Sequence, residues 1–244
     1  MNNFKNALLG ITLDEKCFLY LKEELLKDYS FGLVLDMLSL PCMKFETQHT
    51  LSLLFALLED NEVNDTIVSM LCQHLADVTA ERWPGCRERL GTLIEGHHLI
   101  FNRSQLMLLA HTLETMYAKV YEGTFRLLHL TYQRIPLSDV EFNPDSDDNM
   151  RIRLAKIAYS TTRYNVIEKL DVVDSIKRHL KASDRKHLLG MLNYYKGICL
   201  EAADAKDEFK DSVHYICKAR NRGFELANIY LNYRYINLET SKNG

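Results

Sequence analysis

The sequence predicts an all-α fold: a multi-helix array of antiparallel helix pairs. Three observations lead there. Only 10 Gly and 4 Pro punctuate 244 residues, so long segments run without a turn signal. Apolar residues recur at i, i+3 and i+4 through most of those segments, the rhythm of one buried helical face. Strict alternation of the strand type almost nowhere lasts six residues. With 47% apolar and 26% charged residues, the chain has an ordinary globular composition, and its length suits one large domain or two small ones.

The elements follow in order. Thr12-Leu13-Asp14-Glu15 has the form of a capping box and predicts a helix burying Cys17, Phe18, Leu21, Leu25 and Leu26. A second apolar run spans 30–40 and stops at Pro41. The third, 47–60, is apolar nearly all round, which predicts a central helix. Asn64 or Asp65 caps a fourth, running to about residue 80, and Pro84 sits where a first helical turn accepts proline, opening a fifth toward Glu95. Asn102 caps the longest run, to Tyr132, with Gly123 placed to split or bend it. Between residues 136 and 149 the rhythm fails in an acidic, proline-bearing stretch. That stretch divides an N-terminal helical domain (1–135) from a repeat-like region (150–244). Five further helices are predicted near 149–162, 164–181, 183–202, 206–222 and 224–238.

Several classes are disfavoured. No window approaches the roughly 20 apolar residues of a membrane span. The N-terminus lacks the charged and apolar pattern of a secretion signal. Six cysteines are scattered without a CxxC pair, which fits a reducing cytoplasm. The net charge of −3 is unevenly spread, acidic before residue 145 and basic after it, a mild asymmetry that does not argue for nucleic acid. Phosphate-cradling glycine loops are absent, and cysteines and histidines are not clustered at zinc-ligand spacing, so no cofactor is expected.

Residues 186–235 carry a more particular pattern. Helix-pair repeats place small residues where helices cross closely and glycine where the chain reverses. Lys218, Ala219, Gly223, Ala227 and Leu231 fall at such positions, as do Tyr194 and Gly197 earlier. This arrangement resembles the Sel1-like subfamily of tetratricopeptide-type repeats, over about one and a half units. It departs from that pattern at Arg220, where alanine is usual, and at Asn232, where glycine is usual. The resemblance implies a protein-interaction scaffold: an adaptor, a regulator, or a bacterial factor delivered into the host cytosol.

Candidate site residues fall into three groups. Cys86, in Trp83-Pro84-Gly85-Cys86-Arg87, sits at a helix start beside Arg87 and Arg89, a setting that lowers a thiol pKa. His97 and His98 follow one helix later, and Glu95 makes a Glu-x-x-His with His98. Together they frame the alternative reading, a helical enzyme. An incidental helix-start cysteine fits the same residues, since no catalytic signature surrounds it. Lys177, Arg178, Lys181 and Arg185 form a basic cluster suited to an acidic partner, or simply a solvated helix end. No aromatic platform for stacking bases accompanies it, which disfavours nucleic acid. Tyrosines concentrate toward the C-terminus, and Tyr195, Tyr233 and Tyr235 are the predicted contacts for a protein partner.

Overall fold

The computed structural model describes residues 2–41, 47–96, 101–119, 122–136, 147–160, 166–180, 186–202 and 206–235, without the side chains of 147, 166, 179–180, 206–210 and 235. The fold is all-α, and no strand occurs among the described residues. The helices are α1 (Asn2–Leu9), α2 (Lys16–Lys27), α3 (Phe31–Leu38), α4 (Thr47–Glu59), α5 (Asp65–Ala76), α6 (Trp83–Glu95) and α7 (Arg103–Ala118). They continue as α8 (Thr124–Arg134), α9 (Asp147–Ala158), α10 (Val166–Leu180), α11 (Lys186–Glu201), α12 (Lys206–Asn221) and α13 (Glu225–Tyr230), which runs into a π-helical turn, Leu231–Tyr235. The chain packs as two compact units, Met1–Leu108 and Leu109–Gly244, with the division inside α7. Most of the predicted acidic boundary, 137–146, lies outside the described residues.

In the first unit α4 is the axis. Its residues from Leu53 to Leu58 are all buried, and α1, α5 and α6 pack around it. Each fully buried Leu or Phe there contributes roughly 2 kcal/mol. Asp60, just past α4, accepts from the amides of Phe4 (2.9 Å) and Asn3 (3.2 Å), satisfying donors that the first turn of α1 leaves open. Asn64 Oδ1 caps α5 through the Ile67 amide at 2.9 Å. Asn102 and Gln105 form a reciprocal capping box at 2.9 Å each way, and the Gln105 amide reaches Asp65 at 2.8 Å.

The capping box predicted at Thr12 does not form. Buried Ile11 holds residues 11–15 out of the helix, Lys22 donates to the Leu9 and Ile11 carbonyls, and α2 begins only at Lys16. Phe18 and Leu25 face the core as predicted, whereas Cys17 is exposed. The long predicted run is divided: α7 ends at Ala118, and Gly123, at φ +77°, is the N-cap of α8.

In the second unit α11 is the axis, buried without interruption from Gly190 to Leu200. It packs against α9, α10 and, most extensively, α12. The α11–α12 pair is antiparallel, because Gly190 faces Ala219, Arg222 and Phe224 while Gly197 faces Ile216 and Ser212. Ser212 Oγ donates to the Gly197 carbonyl at 2.9 Å across that crossing. At the end of α12, Gly223 adopts φ +82°. Its amide donates to Arg220 O at 2.8 Å, and the Phe224 amide to Ala219 O at 3.2 Å. That is a Schellman turn, which reverses the chain into α13. The end of α4 uses the same bonding, with Asn61 at φ +69° in place of glycine.

The two glycines of the second unit are required for different reasons. At Gly223 no neighbouring atom lies within 4 Å of the place a methyl group would take, so Gly223→Ala carries only the left-handed backbone penalty, about 1–2 kcal/mol. At Gly197 a Cβ would meet Ile216 Cγ1 at 2.5 Å and Ser212 O at 3.0 Å. Gly197→Ala is therefore expected to destabilise by about 1–3 kcal/mol of overpacking, exceeding the roughly 1 kcal/mol gained in helix propensity. Urea unfolding of both variants tests this; a stabilised Gly197→Ala protein would contradict the close crossing.

Candidate functional site

The second unit holds a buried polar centre. Glu114, on α7, has no exposed surface. Its carboxylate accepts from the Arg151 guanidinium of α9 and from the Tyr195 hydroxyl of α11, the latter at 2.6 Å. Arg151 also meets His111 Nδ1 at 3.1 Å. Around this pair Tyr159 stacks on Tyr132 (5.8 Å) and meets Tyr195 edge-on (6.2 Å), and Tyr195 meets Tyr194 (5.3 Å). The hydroxyls of Tyr132, Tyr159 and Tyr194 are buried without a hydrogen-bond partner. Tyr195 is therefore a core residue with 0% exposure, not the surface contact predicted for it. Its polar tip is used inward, on Glu114.

A second network fixes the tail. Glu201, at the end of α11, accepts from the hydroxyls of Tyr117 and Tyr230 at 2.8 Å each and from Arg234. The Arg234 guanidinium lies over the rings of Tyr117 (4.5 Å) and Tyr230 (4.9 Å). Beside it Tyr233 is 47% exposed, with the Lys119 ammonium 5.8 Å from its ring centre. Tyr233 thus stands on the surface, as a contact residue needs to. The side chain of Tyr235 lies outside the described set.

The basic cluster is only partly described. Lys177 and Arg178 share a groove of about 390 Å³ with Asp171, Asp174, Lys196 and Tyr215, walled by α10, α11 and α12. Lys196 pairs with Asp174 at 2.8 and 2.9 Å and lies over the Tyr215 ring at 4.7 Å. Burial works against its charge, but Asp174 outweighs it and raises the Lys196 pKa. The groove is of mixed charge, not purely basic. Lys181 and Arg185 lie outside the described residues.

Cys86 lines a separate groove of about 590 Å³ in the first unit, near Arg82 and Arg89. Its thiol is not activated. Burial pushes its pKa up, and the charges of Arg89 and Arg82 only partly offset that. Arg89 is engaged elsewhere, bridging Glu59 at 2.8 Å and lying 4.8 Å from the Phe55 ring centre. The lowered pKa expected from the helix start is thus reversed by desolvation. His97 and His98 fall outside the described residues. Among the described residues no group of three His, Cys, Asp or Glu side chains is placed to hold a metal ion, and no helix is long and apolar enough to cross a membrane.

Glu114 escaped the reading of the sequence altogether. Its signal was present: a carboxylate four residues from Ala110 and three from Tyr117, inside an apolar helical stripe. The fold defines the class only as an all-α helical array. No family model, curated protein or solved structure matches the chain.

The buried centre generates two expectations. Glu114→Gln leaves the Arg151 charge uncompensated and is expected to lower unfolding free energy by about 3–5 kcal/mol; calorimetry giving a loss below about 1 kcal/mol would refute the pairing. Burial, reinforced by neighbouring charges, raises the pKa of Tyr132, Tyr159, Tyr194 and Tyr195 well above 10.0. A raised folded-state pKa means stability is fully present below about pH 10 and is lost as pH rises beyond it. Alkaline titration is expected to show these phenols ionising together with loss of helical circular dichroism. Complete ionisation of all 13 tyrosines with helix content intact would contradict their burial.

Proposed function

We propose that this chain is a cytoplasmic helical protein–protein interaction module, acting as an adaptor, scaffold or regulator, or in a host cytosol as a delivered bacterial factor. The observation that carries the reading is the groove walled by α10, α11 and α12. Asp171, Asp174, Lys177 and Arg178 lie along one stripe of α10, facing Lys196 of α11 and Tyr215 of α12. Two acidic residues followed by two basic ones, with a tyrosine at the edge, suit a partner segment of mixed charge, because such complementarity sets register and orientation. The positions of the Sel1-like resemblance support the same reading: Ala219, Ala227 and Leu231 are buried at the helix crossings, and Lys218 is not buried.

Affinity capture from native lysate tests it, comparing the wild-type chain with Lys177→Glu/Arg178→Glu. Both positions border the groove and neither is buried, so the variant is expected to keep its fold. The expected result is a set of co-purifying proteins held at low salt, weakened at high salt and lost from the variant. Retention of the same proteins by the variant, or none above background, would overturn the reading.

A further inference from the structure

Independently of the interaction reading, a second cavity in this unit brings three basic groups together. It has a volume of about 530 Å³ and is walled by α8, α9 and α10. His129 enters from α8, Lys156 and Ile157 from α9, and Glu168, Lys169 and Val172 from α10. Lys169 is 7% exposed, and its Nζ donates to the Ser160 carbonyl at 2.9 Å. Among the described residues, Lys156 Nζ reaches the Gln133 carbonyl alone, at 3.5 Å. An ammonium has three donors, so each lysine keeps hydrogen-bonding capacity to spare. Nδ1 of His129 is buried without a partner. Glu168 lines the same cavity, yet among the described residues it pairs with neither ammonium.

Positive charge drawn out of water with no paired counter-charge is a standing penalty that an anion relieves. Burial accordingly lowers the pKa of Lys156 and Lys169. It lowers that of His129 too; a hydrogen bond to the Tyr159 backbone opposes the shift and the charge of Lys169 adds to it. The nature of the donors selects among anions. No guanidinium lines the cavity, so the planar, two-pronged match to a carboxylate is missing. Two ammonium point charges and an imidazole instead suit a tetrahedral dianion. Ile157 and Val172, the latter 46% exposed, offer apolar contact beside them.

We propose that this cavity binds the phosphate monoester of a small organic molecule, with Lys156, Lys169 and His129 around the phosphate and Ile157 and Val172 against the carbon skeleton. Binding then couples to protonation. A phosphate dianion beside His129 favours the imidazolium, countering the charge of Lys169. The complex takes up protons on the imidazole, and affinity rises as pH falls from about 8 until the ligand's own second ionisation, at about pH 6, removes the dianion.

Calorimetric titration of the full chain with glycerol 3-phosphate, inorganic phosphate and glycerol tests this, run in two buffers of different ionisation enthalpy. The expected result is proton uptake with glycerol 3-phosphate, weaker binding of inorganic phosphate, and none of glycerol. Lys156→Met is expected to weaken binding about tenfold or more, the effect of one charge-assisted contact, at an unchanged melting temperature. The His129 ring proton resonances of the wild-type chain provide a reading that needs no variant, and they are expected to shift on titration. No binding up to about 10 mM, far weaker than a working ligand site, would overturn the proposal. So would equal affinity for inorganic phosphate, a static His129 resonance, or a folded Lys156→Met protein that binds undiminished.

Discussion

A carboxylate with no exposed surface sets the geometry of the second unit. Taking Glu114 out of water costs several kcal/mol, and that cost is offset only where Arg151 and Tyr195 meet it. The three residues belong to α7, α9 and α11, so their contact fixes the relative register of three helices at one point. The aromatic cluster then has a defined shape to fill: Tyr132, Tyr159 and Tyr194 pack with Tyr195 beside the pair. Burial on every side of α11 is a consequence, because a helix passing through this centre has no face left for solvent.

A helix buried all round must place its own polar groups, and those placements create the surfaces. Asn193 turns back onto the Leu189 carbonyl at 2.7 Å. Lys196 reaches outward to Asp174, which leaves the mixed-charge groove beside Tyr215. Glu201 gathers Tyr117, Tyr230 and Arg234 and so holds the π-helical turn in place. The first unit is built differently. Its axis, α4, is apolar and buried from Leu53 to Leu58, and its ion pair, Glu59 with Arg89, lies part-exposed at its end. One unit is organised by hydrophobic burial, the other by a satisfied charge.

Local signals in the sequence located most of the helices. Asn64, Pro84, Asn102 and Gly223 each act within a few residues of themselves, so their roles are readable without the fold. The centrality of α4 was equally legible, since a helix apolar all round has nowhere else to go. Short α1 was missed: its core contacts, Phe4 and Leu8, make only one i, i+4 pair. Thr12 misled because a capping motif competes with burial of the neighbouring Ile11, and burial won. The long-range features were not legible. Tyr195 has the same local sequence whether it faces a partner or a core, and its role depends on a carboxylate 81 residues away. Cys86 shows the same limit, since its basic neighbours are visible in sequence and its desolvation is not.

All of this requires α11 to be the protected axis of its unit, sealed around Glu114. Native-state hydrogen exchange, resolved by residue, measures that protection directly. The amides of Gly190–Leu200 are expected to exchange only through global opening of the unit, slower than those of α10 or α13. Exchange across Gly190–Leu200 as fast as in α10, with the rest of the unit still folded, would contradict it.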